Sequence, residues 1–216
     1  MYFKPYELKF MKKHVVYWTI FLLLSIRTGF ADELDCGSLS NTFGPFDYTN
    51  PQHVKERLPV VEHHHFNSNV ENLVGGQTGF IWQDLAYVLR AFPNHHRALY
   101  TMGRYQRKQP FEHLEQDTLH SMSCYFDRAI RMQPLDGTVY SLWAIYLHKD
   151  KKLDEAKIKY EKALEIDKDN SEFQYNYGLL MFDMKNYDEA RKHAEIAKKL
   201  GYPLPGLLNK LKRIKK

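Results

Sequence analysis

Two kinds of hydrophobic pattern run along this chain of 216 residues. Val15 to Ile26 (VVYWTIFLLLSI) form a 12-residue apolar stretch bracketed by Lys13 and Arg27. Near the other end, Leu207, Leu208, Leu211 and Ile214 recur at helical spacing with Lys and Arg between them. That spacing predicts a short helix with one polar face over residues 205–216. A further helix is expected over residues 94–108, with Leu99, Met102 and Gly103 turned inward. Residues 69–73 and 83–92 read as a degenerate helix pair split by Gly75, Gly76 and Gly79. Residues 32–66 match no pattern and read as an irregular lead-in with turns at Gly44-Pro45 and Asn50-Pro51.

The second half is periodic. Asp154-Glu155-Ala156 falls 34 residues before Asp188-Glu189-Ala190, and Ala163 falls 34 before Ala197. In the same register Leu153 lies over Tyr187, and Trp143 over Tyr177. One further step back reaches Ala129, with Phe126 and Pro134 beside it. From Gly103 to Met122 the chain runs 19 residues, where a regular unit of this period uses about 12. An insertion of about seven residues is therefore placed around residues 109–117. Small residues at fixed positions let paired helices come close, and neither helix of such a pair can bury its apolar face alone. Asp154 and Asp188 suit helix N-termini, where a carboxylate can meet free backbone N–H groups.

The period and these residues resemble the tetratricopeptide-repeat (TPR) family. In one unit the set is Tyr140, Trp143, Ala144, Leu147, Ala156, Tyr160 and Ala163; in the next it is Gln174, Tyr177, Gly178, Met181, Ala190, Ala194 and Ala197. Lys168 stands where the family's closing proline would fall, and Gln174 and Ala194 are weaker than its norm. The resemblance implies an all-α right-handed solenoid. Its units would be residues 94–136 (irregular), 137–170 and 171–204. Residues 32–93 would form an N-terminal region, and residues 205–216 a capping helix.

The resemblance also implies a concave groove for a protein or extended peptide. Carried over, its outward positions are Arg97, Tyr100, Arg104, Arg107 and Lys108, then Thr138, Ser141, Ile145, His148 and Lys149, then Glu172, Tyr175, Leu179, Phe182 and Asp183. The first five also share one helical face by spacing alone. Four cations and a phenol on one stripe suit a carboxylate or an acidic chain. A solvated charged face is the plainer alternative.

Charge narrows the partners further. Residues 1–31 hold five basic side chains and one acidic; after Gly206 there are five basic and none acidic. Between them stand 21 basic against 25 acidic residues. Such a body is no match for nucleic acid, which requires clustered cations on one face. Capping is the structural reading of the basic tail; a membrane-surface or nucleic-acid role is the other.

Residues 1–31 have the three parts of a secretory signal: a basic start, the apolar stretch, and Thr28-Gly29-Phe30-Ala31 with small residues at two cleavage positions. Met11 offers an alternative start with a tighter basic region. The stretch falls short of the about 20 apolar residues that a bilayer span requires. Cleavage after Ala31 would leave no membrane span. Asp35 before Cys36 argues against lipid modification. Export is expected, to a periplasm first and to full secretion as the alternative; no Asn-x-Ser/Thr acceptor occurs.

An exported chain holding Cys36 and Cys124 permits one disulfide, although spacing alone leaves two free thiols equally open. Among eleven histidines, His63, His65, His95 and His96 are the candidates for a metal site. Adjacent residues point in different directions, and no His-Glu-x-x-His or Cys-x-x-Cys is present, so none is expected. Gly75-Gly76-Gln77-Thr78-Gly79 lacks the lysine of a phosphate loop, and no Gly-x-Ser-x-Gly occurs. The reading is a non-enzymatic interaction module without a cofactor. A metal-binding or enzymatic N-terminal domain that docks through the repeats is the competing class.

Overall fold

The computed structural model describes residues 36–108 and 120–214. The expected signal segment, residues 1–31, and the expected insertion around 109–117 lie outside them. Among the described residues every regular element is a helix. In chain order these are α1 (Pro51–Glu56), α2 (Leu58–His65), α3 (Ser68–Glu71), α4 (Ile81–Ala91), α5 (His96–Lys108) and α6 (Met122–Met132). They continue with α7 (Gly137–Lys149), α8 (Leu153–Ile166), α9 (Ser171–Asp183), α10 (Tyr187–Lys199) and α11 (Gly206–Ile214).

The repeats pair α5 with α6, α7 with α8, and α9 with α10, and α11 closes the array. Short polar side chains begin the helices by accepting free N–H groups. Ser121 caps α6, Asp136 caps α7, Asn170 caps α9 and Asn186 caps α10. Asp154 and Asp188 are not caps. They stand in the first turns of α8 and α10, where a negative charge is favoured by the helix dipole.

The small residues that mark the period are buried where helices meet. Ala144, Ala156, Ala163, Ala190 and Ala197 are at most 1% exposed. At Gly178 a β-carbon would lie 2.8 Å from a Leu207 methyl and 3.3 Å from the Ala190 carbonyl oxygen. The glycine thus admits both α10 and the closing helix. Larger rings fill the remaining space: Phe126 stacks on Trp143 at 5.4 Å, and Tyr160 meets Tyr177 edge-on at 6.2 Å.

The front of the molecule is more ordered than its sequence pattern suggests. Residues expected to be an irregular lead-in contain α1 and α2. Asn50 caps α1, whose first residue is Pro51, a position where the missing N–H costs nothing. Both α2 and the segment at 68–71 pack on α4, α2 more extensively. That segment is the single turn α3.

Residues 36–50 cross the following helices as a strap. Cys36 and Cys124 form a disulfide, with S–S 2.05 Å and Cα–Cα 5.0 Å. The buried Arg128 guanidinium donates to the carbonyls of Cys36 (2.9 Å) and Ser38 (2.7 Å), and Arg131 donates to that of Gly37 (2.9 Å). Phe46 N–H donates to the Ala91 carbonyl at 2.8 Å. At Gly44, φ is +116° and a β-carbon would lie 2.7 Å from that same carbonyl oxygen, so only glycine lets the strap lie this close. The strap ends in a polar knot. Asp47 accepts from Thr49, Asn94 and Gln133, and Asn94 also donates to Asp136.

Candidate protein-binding groove

The first helices of successive units, α5, α7 and α9, stand side by side and line a groove of about 760 Å³, with α3 at one end. Four of its positions recur with the period: Thr138 and Glu172, Leu142 and Asn176, Ile145 and Leu179, Lys149 and Asp183. Leu142, Ile145 and Leu179 give it an apolar strip. Arg97, Arg104, Lys149 and Lys151 are its cations, and Glu71, Glu172 and Asp183 its acids. Tyr100 is 41% exposed between two of the cations, with Arg104 5.8 Å and Lys149 5.5 Å from its ring centre.

The predicted cations are present but engaged. Arg97 donates to both carboxylate oxygens of Glu71, at 2.8 Å from Nε, and to Glu62 at 3.3 Å. Its guanidinium also lies 5.1 Å from the Phe66 ring centre. The Arg97 hydrogen bond holds the Glu71 carboxyl below the usual range. Arg104 donates to the Glu71 carbonyl at 3.3 Å. Arg107 turns away from the main groove and bonds Asp150 at 2.9 Å and the Tyr146 carbonyl at 3.1 Å. Lys108 is exposed beyond the lining. The stripe is therefore a partly neutralised wall, not four free charges.

The other predicted residues divide. His148 lines the groove and bonds Asp183 at 2.9 Å, and Leu179 is in the apolar strip. Ser141 is only 3% exposed. Tyr175 occupies the same register 34 residues on, stacks on Tyr202 at 4.1 Å and lines a separate recess. Phe182 packs on Tyr187 at 5.6 Å and lies beneath Lys210. Ser141, Tyr175 and Phe182 are therefore not part of the groove lining.

The histidines take separate partners. His65 bonds the buried Asp84 at 2.9 Å and stacks on Tyr87 at 3.9 Å. Burial pushes the Asp84 carboxyl up, but hydrogen bonds from Thr78, His65 and the Gln77 and Thr78 N–H groups outweigh it and hold it low. The glycine-containing loop before α4 is thus pinned by an anion of the chain itself. His95 is fully buried: its Nδ1 accepts from Ala98 N–H at 3.2 Å, and its Nε2 faces Glu62 at 3.0 Å. That pair of bonds fixes the proton on Nε2. Burial holds the His95 pKa below its ordinary value. His96 lines the groove and bonds Asp136 at 2.8 Å. His63 is exposed on α2. Among the described residues no group of three or more His, Cys, Asp or Glu is arranged to hold a metal ion.

Glu71, Asn72, His96, Leu142 and Asn176 were absent from the predicted lining. Leu142 and Asn176 carried a readable signal, since they are 34 apart and at helical spacing from Ile145 and Leu179.

Stacked helix pairs around a shared concave groove define a helical-repeat protein. Residues 147–198 match the model described as Tetratricopeptide repeat. The BBSome complex member BBS4 of Bos taurus is 25% identical over 177 residues, an alignment covering 80% of this chain. The chain spans about a third (33%) of that relative's length. Among solved structures, YrrB, described as a TPR protein with an unusual peptide-binding site, aligns at TM-score 0.45 and 22% identity. That match covers 61% of this chain and 64% of the other. MamA aligns at TM-score 0.46 and 17% identity, over 69% of this chain and 82% of the other. Among the described residues no helix is long and apolar enough to cross a membrane.

Proposed function

We propose that the protein is a non-enzymatic adaptor or scaffold outside the cytoplasm, holding an extended segment of a partner in the concave groove. The observation that carries this reading is the side-by-side arrangement of Arg97, Tyr100 and Arg104 with the apolar strip Leu142, Ile145 and Leu179. A partner with an apolar anchor and an acidic or carboxylate-ended segment suits both parts. The Cys36–Cys124 disulfide supports an oxidising compartment, consistent with the signal-like start, and the periplasm is the favoured location.

The test is capture of a partner from an envelope extract by the wild type and by Arg104→Glu and Ile145→Glu variants of unchanged helicity. The groove reading expects loss of the same partner in both variants. Retention by both would refute it.

A further inference from the structure

The chain is electrically divided. Residues 32–197 carry 19 basic and 25 acidic side chains, whereas residues 198–216 carry seven basic and no acidic one. The described part of that end runs from the last turn of α10, through a stretch without regular structure at 202–205, into α11. Leu207 and Leu211 are buried and seat α11 on the last repeat. Lys198, Lys199, Lys212 and Arg213 remain exposed. Among the described residues none of these four enters an ion pair.

Apolar side chains are exposed among these cations. Leu204 is 59% exposed, Ile214 42% and Leu200 38%. Lys198, Leu204 and Lys212 border one recess of about 280 Å³, together with the stacked rings of Tyr175 and Tyr202. A capping face turned only to water requires the charges but gains nothing from exposed leucines. A nucleic-acid backbone would meet the charges and leave the leucines without a counterpart. An anionic bilayer surface answers both, with phosphates for the cations and the upper acyl region for Leu204, which borders the same recess as Lys198 and Lys212.

We propose that residues 198–214 form a docking surface for an anionic phospholipid bilayer, on which the protein lies peripherally. The surface is separate from the groove, since Lys198, Leu204 and Lys212 are absent from the groove lining.

The experiment is sedimentation of residues 32–216, the chain without its expected signal segment, with vesicles of phosphatidylcholine alone or mixed with phosphatidylglycerol. Binding is expected only with phosphatidylglycerol and should weaken as salt rises. Joint Lys198→Glu, Lys212→Glu and Arg213→Glu substitution should weaken it by at least about tenfold at unchanged helicity. Leu204→Ser should weaken it severalfold without changing its salt dependence. No sedimentation with phosphatidylglycerol, equal sedimentation with both vesicles, or full binding by the charge-reversed protein would each overturn the proposal. So would an inert Leu204→Ser variant whose parent is displaced from vesicles by duplex DNA, an outcome that identifies a nucleic-acid surface instead.

Discussion

Glu71, at the end of a four-residue helix, closes both carboxylate oxygens on the Arg97 guanidinium at the rim of the groove. The chain thereby occupies, with its own acid, the cation most suited to a partner's acid. Arg97 is 49% exposed and Glu71 31% by side chain, so the pair can open to solvent. An exposed pair of this kind is worth about 0.2–1 kcal/mol. Glu71→Gln should therefore tighten an acidic partner by about two- to fivefold. Titration of the captured partner against both proteins checks this. Thermal stability should fall only slightly.

Acid should destabilise the fold in two stages. Burial of His95 holds its pKa below 6.5, so the unfolded chain takes the proton first as pH falls. Its contribution is complete above about 6.5 and is lost toward the lower folded value. The His95 hydrogen bond lowers the Glu62 pKa from 4.5, and the Arg97 bond lowers that of Glu71 from 4.5. Their contributions are present above 4.5 and disappear below it. Melting temperatures measured from pH 8 to 3 should be level above 7, fall from about 6.5, and fall again below about 4.5.

Gly178→Ala would place a methyl against Leu207 and the Ala190 carbonyl. The expected cost is about 1–3 kcal/mol from overpacking. Leu207→Ala should cost more, because it leaves a cavity, yet the double variant should lose less than the sum of the two. Denaturant unfolding of the four proteins measures that coupling.

Replacing Cys36 and Cys124 by serine removes a link across 88 residues. A loop of that length corresponds to about 4–5 kcal/mol in the chain-entropy account. The intact protein should show no thiol to an alkylating reagent under native conditions. The double variant should unfold at clearly lower denaturant while keeping its helicity, since Arg128 and Arg131 still hold the strap.

The repeat half was legible because close packing leaves a mark that composition cannot hide. Ala144, Ala156, Ala163, Gly178, Ala190 and Ala197 are small for a steric reason, and they recur at 34 residues. The front half left no such mark. Leu58 to His65 is eight residues long, carries Pro59, and ends in three histidines, so its pattern reads as polar although Leu58 and Val61 are buried. The groove was legible in register but not in charge. Spacing places Arg97 and Arg104 on one face, yet only the chain path brings Glu71 back to them. Likewise the sequence permits the Cys36–Cys124 bridge without deciding it, because the strap that carries Cys36 to α6 has no pattern of its own.

That strap changes how the molecule should come apart. Helical arrays gain stability chiefly from nearest neighbours, so a plain array can unzip from either end. Here one stretch of backbone is tied to the end of α4, to α6, and to the junctions before α5 and α7. The front pairs should then open as a single cooperative block, visible as uniform hydrogen exchange from α4 through α6. Loosening would start instead at α11 and α10, making the fold a zipper with one closed end.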